Sequence, residues 1–309
     1  MIIVFGSVNL DLVARVPRLP QPGETITGSH FATLPGGKGA NQALAARRAG
    51  AKVAVAGAVG DDPFAADALS GLDAAGVDLR WVRRVSAPTG VALIHVDAAG
   101  QNAITVIPGA NAEVRADAVP DAGLIAGNTL LLQLEIPMDA VCDVAARAKR
   151  GGARVILNAA PAAELPAGLL AALDVLIVNA IEASALAVAL GMPGTPEEFA
   201  AALHKRHGLA VIVTLGALGA LAAADQTLFT IAAPAVKVVD TTGAGDTFAG
   251  VLAAALDRGA PWPDTLAEAA AAGSLACTAR GAQAALPHGA AIRDAARQAA
   301  STLVSRPLR

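Results

Sequence analysis

The chain has 309 residues with a formal net charge of −3; 54% of them are hydrophobic, 3% are aromatic and none is Tyr. That length fits one large α/β domain with a small appendage, or two domains. The slight acidic balance excludes a broad basic surface for nucleic acid or anionic lipid. An anionic ligand therefore needs a local device, such as a helix N-terminus.

The opening run, Ile2 to Phe5, reads as a buried strand. It lacks the basic start and small-residue cleavage site of a signal peptide. No apolar run is clean and long enough to span a membrane. Cys142 and Cys277 are far apart and show no metal-ligand spacing, which predicts free thiols. A soluble cytoplasmic protein is the expectation.

Further along, the pattern predicts a helix over 38–49 stopped by Gly50, a strand over 53–56 and a helix over 63–75 stopped by Gly76. A strand over 129–134 precedes a helix over 137–150 that ends at Gly151-Gly152. Runs at 155–157, 175–178 and 211–215 read as further buried strands. Unbroken Val/Ile/Leu strands alternating with helices predict an open, mostly parallel central sheet covered by helices on both faces. The whole of 1–309 is read as one α/β domain. Two regions break the rhythm. Residues 12–34 are rich in Pro and Gly, and 91–96 with 103–107 flank Asp97-Ala98-Ala99-Gly100 as a hairpin. Together, at about 12–34 and 89–108, they predict a small antiparallel β lid; ordinary surface hairpins are the other reading.

The most informative segment runs from Val236 to Gly250, VKVVDTTGAGDTFAG. A short apolar strand is expected to end at Asp240, and a small-residue turn then opens an Ala-rich helix near Ala244. Small residues at a helix start let backbone N–H groups converge as an anion hole. The candidate donors are the N–H groups of Thr242, Gly243, Ala244 and Gly245. Asp246, in the first helical turn, lies beside that hole. Phosphoryl transfer to an alcohol needs this pairing: donors for the transferred charge and a carboxylate for the hydroxyl proton. A first-turn Asp that merely favours its helix end is the plainer alternative.

Two earlier segments add polar groups. Pro35 to Ala43 reads PGGKGANQA, a glycine run entering a helix with Asn41 in its first turn. Asn9 and Asp11 alternate along an extended chain after the first strand, where open α/β sheets hold ligands. An amide with a carboxylate suits adjacent hydroxyls, although a polar turn explains the pair equally well in isolation.

Taken together, Asp240-Thr241-Thr242-Gly243-Ala244-Gly245-Asp246 and Gly36-Gly37-Lys38-Gly39-Ala40-Asn41-Gln42-Ala43 resemble the two signatures of the ribokinase-like (PfkB) carbohydrate kinases. The second string is closer to the ribose-phosphorylating members than to fructokinases or adenosine kinases. The resemblance spans roughly residues 2–290. It implies the family's Rossmann-like fold and transfer of the ATP γ-phosphoryl group to a sugar hydroxyl, with D-ribose the expected acceptor and deoxyribose, fructose or a nucleoside the alternatives. It implies sugar contacts from Asn9, Asp11, Gly37, Lys38, Asn41, Glu135 and Asp246, with Asp246 as general base. It implies nucleotide contacts from Asn179, Thr214, Gly216, Gly219 and Gly245, and Glu182 acting on Mg²⁺ through water. A K⁺ site is implied at Asp240, Thr242, Ala276, Ala279, Gly281 and Ala285, where Ala285 replaces a hydroxyl residue common in the family. A homodimer through the β lid is also implied.

Other features are set aside. Gly37-Lys38 lacks the spacing of a P-loop, and Phe5-Gly6-Ser7-Val8-Asn9-Leu10-Asp11 has too few glycines for a dinucleotide-binding dehydrogenase. His204 and His207 read as a solvated helix face, and Trp81 and Trp262 as packing residues.

Overall fold

A computed structural model describes residues 1–308. β1 (Ile2–Phe5) leads into β2 (Asn9–Arg15) and β3 (His30–Gly36), then α1 (Lys38–Arg48), β4 (Val53–Gly60), α2 (Pro63–Ala74), β5 (Asp78–Val85), β6 (Gly90–Val96) and β7 (Asn102–Ile107). Short 3₁₀ turns, the first at Gly109–Glu113, precede β8 (Thr129–Leu132), α3 (Met138–Gly151), β9 (Arg154–Asn158), α4 (Ala167–Ala172), β10 (Val175–Asn179), α5 (Ala180–Leu190), α6 (Pro196–His207) and β11 (Ala210–Thr214). The chain continues through β12 (Ala220–Ala224), β13 (Thr227–Ile231), α7 (Ala244–Asp257), α8 (Trp262–Ala276), α9 (Gly289–Ala300) and β14 (Val304–Pro307).

The main sheet has ten strands in the order β14-β13-β12-β11-β10-β9-β8-β1-β4-β5. Pairing is parallel from β11 to β5 and antiparallel from β11 to β14. Strand alternation divides the core into two layers. Ile2 and Val4 of β1 pack with buried residues of α1, α7 and α8. Ile3 and Phe5 pack on the opposite face, with α3, α5 and α6. Every side chain of β1 is fully buried, so the strand reads as a continuous apolar run, as both-face coverage requires.

The small sheet has the order β3-β2-β6-β7. β2–β3 and β6–β7 are antiparallel, while β2–β6 is a parallel seam. It begins at Asn9, three residues before the expected boundary. Asn9 and Asp11 therefore belong to this sheet and not to the end of β1. The break is local: a Cβ at Gly6 would lie 1.8 Å from Gln133 Oε1, so only glycine lets β1 end beside that amide. Between β2 and β3, Pro17, Pro20 and Pro22 keep the chain out of both ladders.

Two expectations are corrected. No strand forms before Asp240: the N–H groups of Val239 and Asp240 both donate to the carbonyl of Cys277, at 2.8 and 3.3 Å, and so take no ladder partner. His204 is buried in the last turn of α6, with its Nδ1 2.8 Å from the Leu209 carbonyl beyond the helix end, so it is a structural side chain and not a solvated one. Trp81 and Trp262 do pack against the two core layers.

Candidate active site

The start of α1 is capped from outside its own sequence. Gly37, at the N-cap, has φ +88° and offers no side chain. The orphan helix N–H groups find other acceptors: Lys38 N–H donates to Glu135 Oε2 (3.1 Å), Gly39 N–H to Ser7 Oγ (3.3 Å) and Ala40 N–H to the Ser7 carbonyl (2.9 Å). Ser7 Oγ–H in turn donates to Glu135 Oε2 at 2.6 Å. Close approach depends on glycine: a Cβ at Gly37 would lie 2.7 Å from Asn9 N, and one at Gly39 would lie 2.6 Å from Ser7 N. The PGGKG string thus presses α1 against the 6–9 loop and brings Asn9, Lys38, Asn41 and Glu135 together.

Helix α7 supplies the other wall. Asp246 is 7% exposed. Its Oδ2 accepts from Asn41 Nδ2 and its Oδ1 from Gln42 Nε2, each at 3.0 Å. The two signatures, about 200 residues apart, therefore meet through hydrogen bonds to one carboxylate. Several polar atoms around it have no partner among the described residues. Asn41 Oδ1 is buried and unpaired, and the Asp11 carboxylate accepts no hydrogen bond. Burial, with the Glu135 and Asp246 charges adding to it, pushes Asp11 from 3.8 up to about 7. The charge of Asp246 chiefly, opposed by burial and aided by Glu135 and Glu182, pushes the Lys38 ammonium up. Such a mixture of unspent donors and acceptors is suited to a small polyol, whose hydroxyls both give and take.

Asn111 was not singled out from the sequence. From the 3₁₀ turn at Gly109–Glu113, its Oδ1 accepts from Val8 N–H (2.9 Å), while its Nδ2 donates to the Val8 carbonyl (3.1 Å) and to Asn9 Oδ1 (2.7 Å). Gly90 leaves the room, since a Cβ there would lie 2.2 Å from Asn111 Nδ2. With Asn9 Oδ1 engaged, Asn9 Nδ2 is left to face the cluster.

The turn before α7 carries the anion-binding geometry. Gly243 has φ +76°. Thr242 N–H donates to Asp240 Oδ1 (2.9 Å) and Ala244 N–H to the Thr241 carbonyl (3.2 Å). These two were expected among the hole's donors and are already engaged. The N–H groups of Gly243, Gly245 and Asp246 have no acceptor among the described residues and are the donors left over at this turn. A Cβ at Gly245 would meet nothing within 4 Å, so its approach is open.

Leading away from that turn is a cavity of about 440 Å³. Thr214, Gly216, Gly219, Ala244 and Gly245 are among its lining residues. The rest of the lining is largely apolar, including Ala233 to Val236, Val238 and Phe248. The 214–219 segment is a hairpin joining β11 to β12, and its Thr214, Gly216 and Gly219 line the cavity. The exposed Val238 is accounted for by its place in this wall.

Asn179 and Glu182 form a reciprocal capping box at the start of α5, each bond 2.8 Å. Burial raises Glu182, Asp246 adds to the rise, and the Asn179 N–H and Lys38 oppose it; the carboxylate thus feels the charges of the cluster. Among the described residues no three His, Cys, Asp or Glu side chains group as a metal site. Asp240 Oδ2 accepts from Gly281 N–H at 2.9 Å, tying the anion turn to the 276–285 loop. Burial acts to raise Asp240, but the Gly281 and Thr242 hydrogen bonds and the Arg280 charge outweigh it and hold the carboxyl below its usual range.

Comparison with known proteins agrees with this geometry. The sequence profile of the pfkB family carbohydrate kinases matches residues 1–289. The chain is 38% identical over 300 residues to ribokinase of Schizosaccharomyces pombe, covering 93% of this chain and 94% of that one. It is 35% identical over 288 residues to ribokinase of Haemophilus influenzae, at 92% and 94% coverage. Its fold superposes on the crystal structure of Thermotoga maritima ribokinase with TM-score 0.89, 34% identity and coverage of 96% and 99%. For Arabidopsis thaliana ribokinase complexed with ribose and ATP the values are 0.85, 35%, 96% and 98%. The chain belongs to the pfkB family and is a carbohydrate kinase. Its similarity within that family, in sequence and in structure, is to ribokinases.

Proposed function

We propose that the chain transfers the γ-phosphoryl group of ATP to the primary O5 hydroxyl of D-ribose, giving ribose 5-phosphate. The observation that carries this reading is the position of Asp246. Its carboxylate is bonded to Asn41 in the polyol cluster, while Gly245, the residue before it, lines the cavity. The sugar's secondary hydroxyls bind Asn9, Asp11, Asn41 and Glu135, and Gly37 and Lys38 bring the backbone close. Asp246 takes the O5 proton as the phosphorus–O5 bond forms and the bond to the ADP oxygen breaks. The N–H groups of Gly243, Gly245 and Asp246 meet the charge on the transferred group. ATP lies in the 440 Å³ cavity, against Thr214, Gly216 and Gly219, with Asn179 toward the phosphates.

Mg²⁺ bound with the phosphates would supply charge neutralisation. Glu182 fits an outer role, because one oxygen is committed to the Asn179 N–H and the other has no hydrogen bond among the described residues. For K⁺, the anionic Asp240 is tied to the 276–285 loop through Gly281 N–H, and the carbonyls of Ala276 and Ala279 in that loop accept no backbone hydrogen bond among the described residues. The Gly281 carbonyl already accepts from Ala285 N–H at 3.2 Å, and Ala285 has no oxygen-bearing side chain. These groups suit a weakly held monovalent ion that orders the turn.

The small sheet acts as the lid, since β2 carries Asn9 and Asp11. Its other strands expose Phe31 and Leu93 on one face and Ile104 and Val106 on the other, apolar surface suited to a second copy of the chain. No helix among the described residues is long and apolar enough to cross a membrane, and a cytoplasmic enzyme is the reading.

The test is an ADP-release assay over ribose, deoxyribose, fructose and nucleosides, with and without K⁺, with the product identified by NMR. Ribose is expected to give the highest kcat/KM. A higher value for deoxyribose, fructose or a nucleoside would transfer the reading to that acceptor.

A further inference from the structure

Behind Asp246 lies a chain of buried amides that the proposed reaction does not itself use. Gln42 is fully buried. Its Nε2 donates to Asp246 Oδ1 and to Asn158 Oδ1, both at 3.0 Å, and its Oε1 accepts from Gln133 Nε2 at 2.7 Å. Asn158 Nδ2 continues to the Ile177 carbonyl at 3.2 Å. Three side chains, from α1, the segment after β8 and the end of β9, thus converge behind a carboxylate on α7.

Two glycines make the arrangement possible. One turn past Asp246 on the same face of α7, a Cβ at Gly250 would lie 2.4 Å from the Gln42 carbonyl; glycine there brings α1 within reach. Gly6 gives the Gln133 amide its space. A carboxylate can only accept, so the amide of Gln42 has to present nitrogen to Asp246 and oxygen to Gln133. Asp246 and Asn158 fix that choice, because a flipped Gln42 would set its oxygen against both of their acceptor oxygens; Gln133 Nε2 completes it by donating to Gln42 Oε1, while Gln133 Oε1 is buried without a partner.

Asn41, from the adjacent position of α1, holds the other oxygen of the carboxylate. In this cluster Asn41 also faces the sugar, whereas Gln42 lies wholly behind the carboxylate. We propose that Gln42, oriented by Gln133 and Asn158, is a positioning residue that sets the angle at which Asp246 meets the acceptor hydroxyl. The proposal rests on Asp246 being the base of the reaction above. A buried, fully satisfied amide has one geometry and holds its partner to it. Misplacement of a reacting group by about 1 Å costs on the order of 10²-fold in rate.

The experiment compares kcat and KM for ribose in the native chain and in Gln42→Met, Gln133→Met, the double variant and Asp246→Asn, with circular dichroism to confirm folding. Gln42→Met is expected to lower kcat about 10- to 100-fold while KM for ribose stays within about threefold. Gln133→Met touches no contact of Asp246, yet is expected to lower kcat by about threefold or more in the same kcat-only manner. The double variant is expected to be no slower than Gln42→Met, because both changes act along one path. Near-native kcat in folded Gln42→Met or Gln133→Met, losses that multiply in the double variant, or losses confined to KM would overturn the positioning role. Should Gln42→Met not fold, Gln133→Met decides by the same split. An active Asp246→Asn, or a native chain inert toward ribose, removes the functional reading and this role together. An inactive Asp246→Asn beside a normal Gln42→Met removes this role alone.

Discussion

Asn111 Nδ2 donates to Asn9 Oδ1 at 2.7 Å while the same side chain brackets the N–H and carbonyl of Val8. The amide of Asn9 therefore enters the sugar cluster with its nitrogen forward. Asn111→Ala frees Asn9 to rotate and leaves two buried backbone groups unpaired. Ribose affinity is expected to fall tenfold or more, with a stability loss of about 1–3 kcal/mol. Calorimetric titration with ribose and a thermal melt check the two parts; unchanged affinity would deny Asn9 its sugar contact.

Asp246→Asn keeps the shape of the side chain and removes its capacity to take a proton. Turnover is expected to fall about 10²- to 10⁴-fold with ribose binding largely kept. Stopped-flow or coupled ADP release reads the first and titration the second.

Gly245 offers a structurally quiet probe of the anion turn. A Cβ there meets no protein atom within 4 Å, so Gly245→Ala is expected to fold normally. The added methyl stands where the phosphates are proposed to sit. KM for ATP is expected to rise about tenfold or more, with ribose affinity unchanged, in steady-state assays that vary each substrate.

Asp11 carries a cost to the fold that depends on pH. Burial chiefly, with Glu135 and Asp246, lifts it from 3.8 to about 7. The unfolded chain releases this proton near 3.8 and the folded chain near 7, so the folded state holds the extra proton between them. Stability contributed by this group falls as pH rises through that window, and the penalty is complete above it. Asp11→Asn removes the penalty. The variant is expected to gain roughly 2–4 kcal/mol over the native chain at pH 8 and little at pH 4, while losing ribose affinity. Urea melts at the two pH values measure the difference.

The alternation of apolar runs made the parallel sheet legible, and the glycine strings made the two halves of the site legible, because each is a contiguous signal. What stayed hidden depends on contacts between distant segments. The β2–β6 parallel seam joins strands far apart in sequence, and no local pattern announces it. Gln42 stands inside the GGKGANQA string, but its meaning comes from Gln133 and Asn158, single amides in otherwise ordinary strand ends. Asn111 is similar: its role follows from Gly90 and Val8 lying beside it. The apolar run from Val236 to Asp240 reads as a strand because such runs usually seek a ladder, whereas Val236 and Val238 serve a cavity wall.

The contact between Asn41 and Asp246 joins the first and last thirds of the chain. A polypeptide still emerging from the ribosome, or one cut short before α7, lacks that carboxylate and also two of the helices, α7 and α8, that cover one face of the sheet. The proposed site and one layer of the core are thus finished by the same late segment.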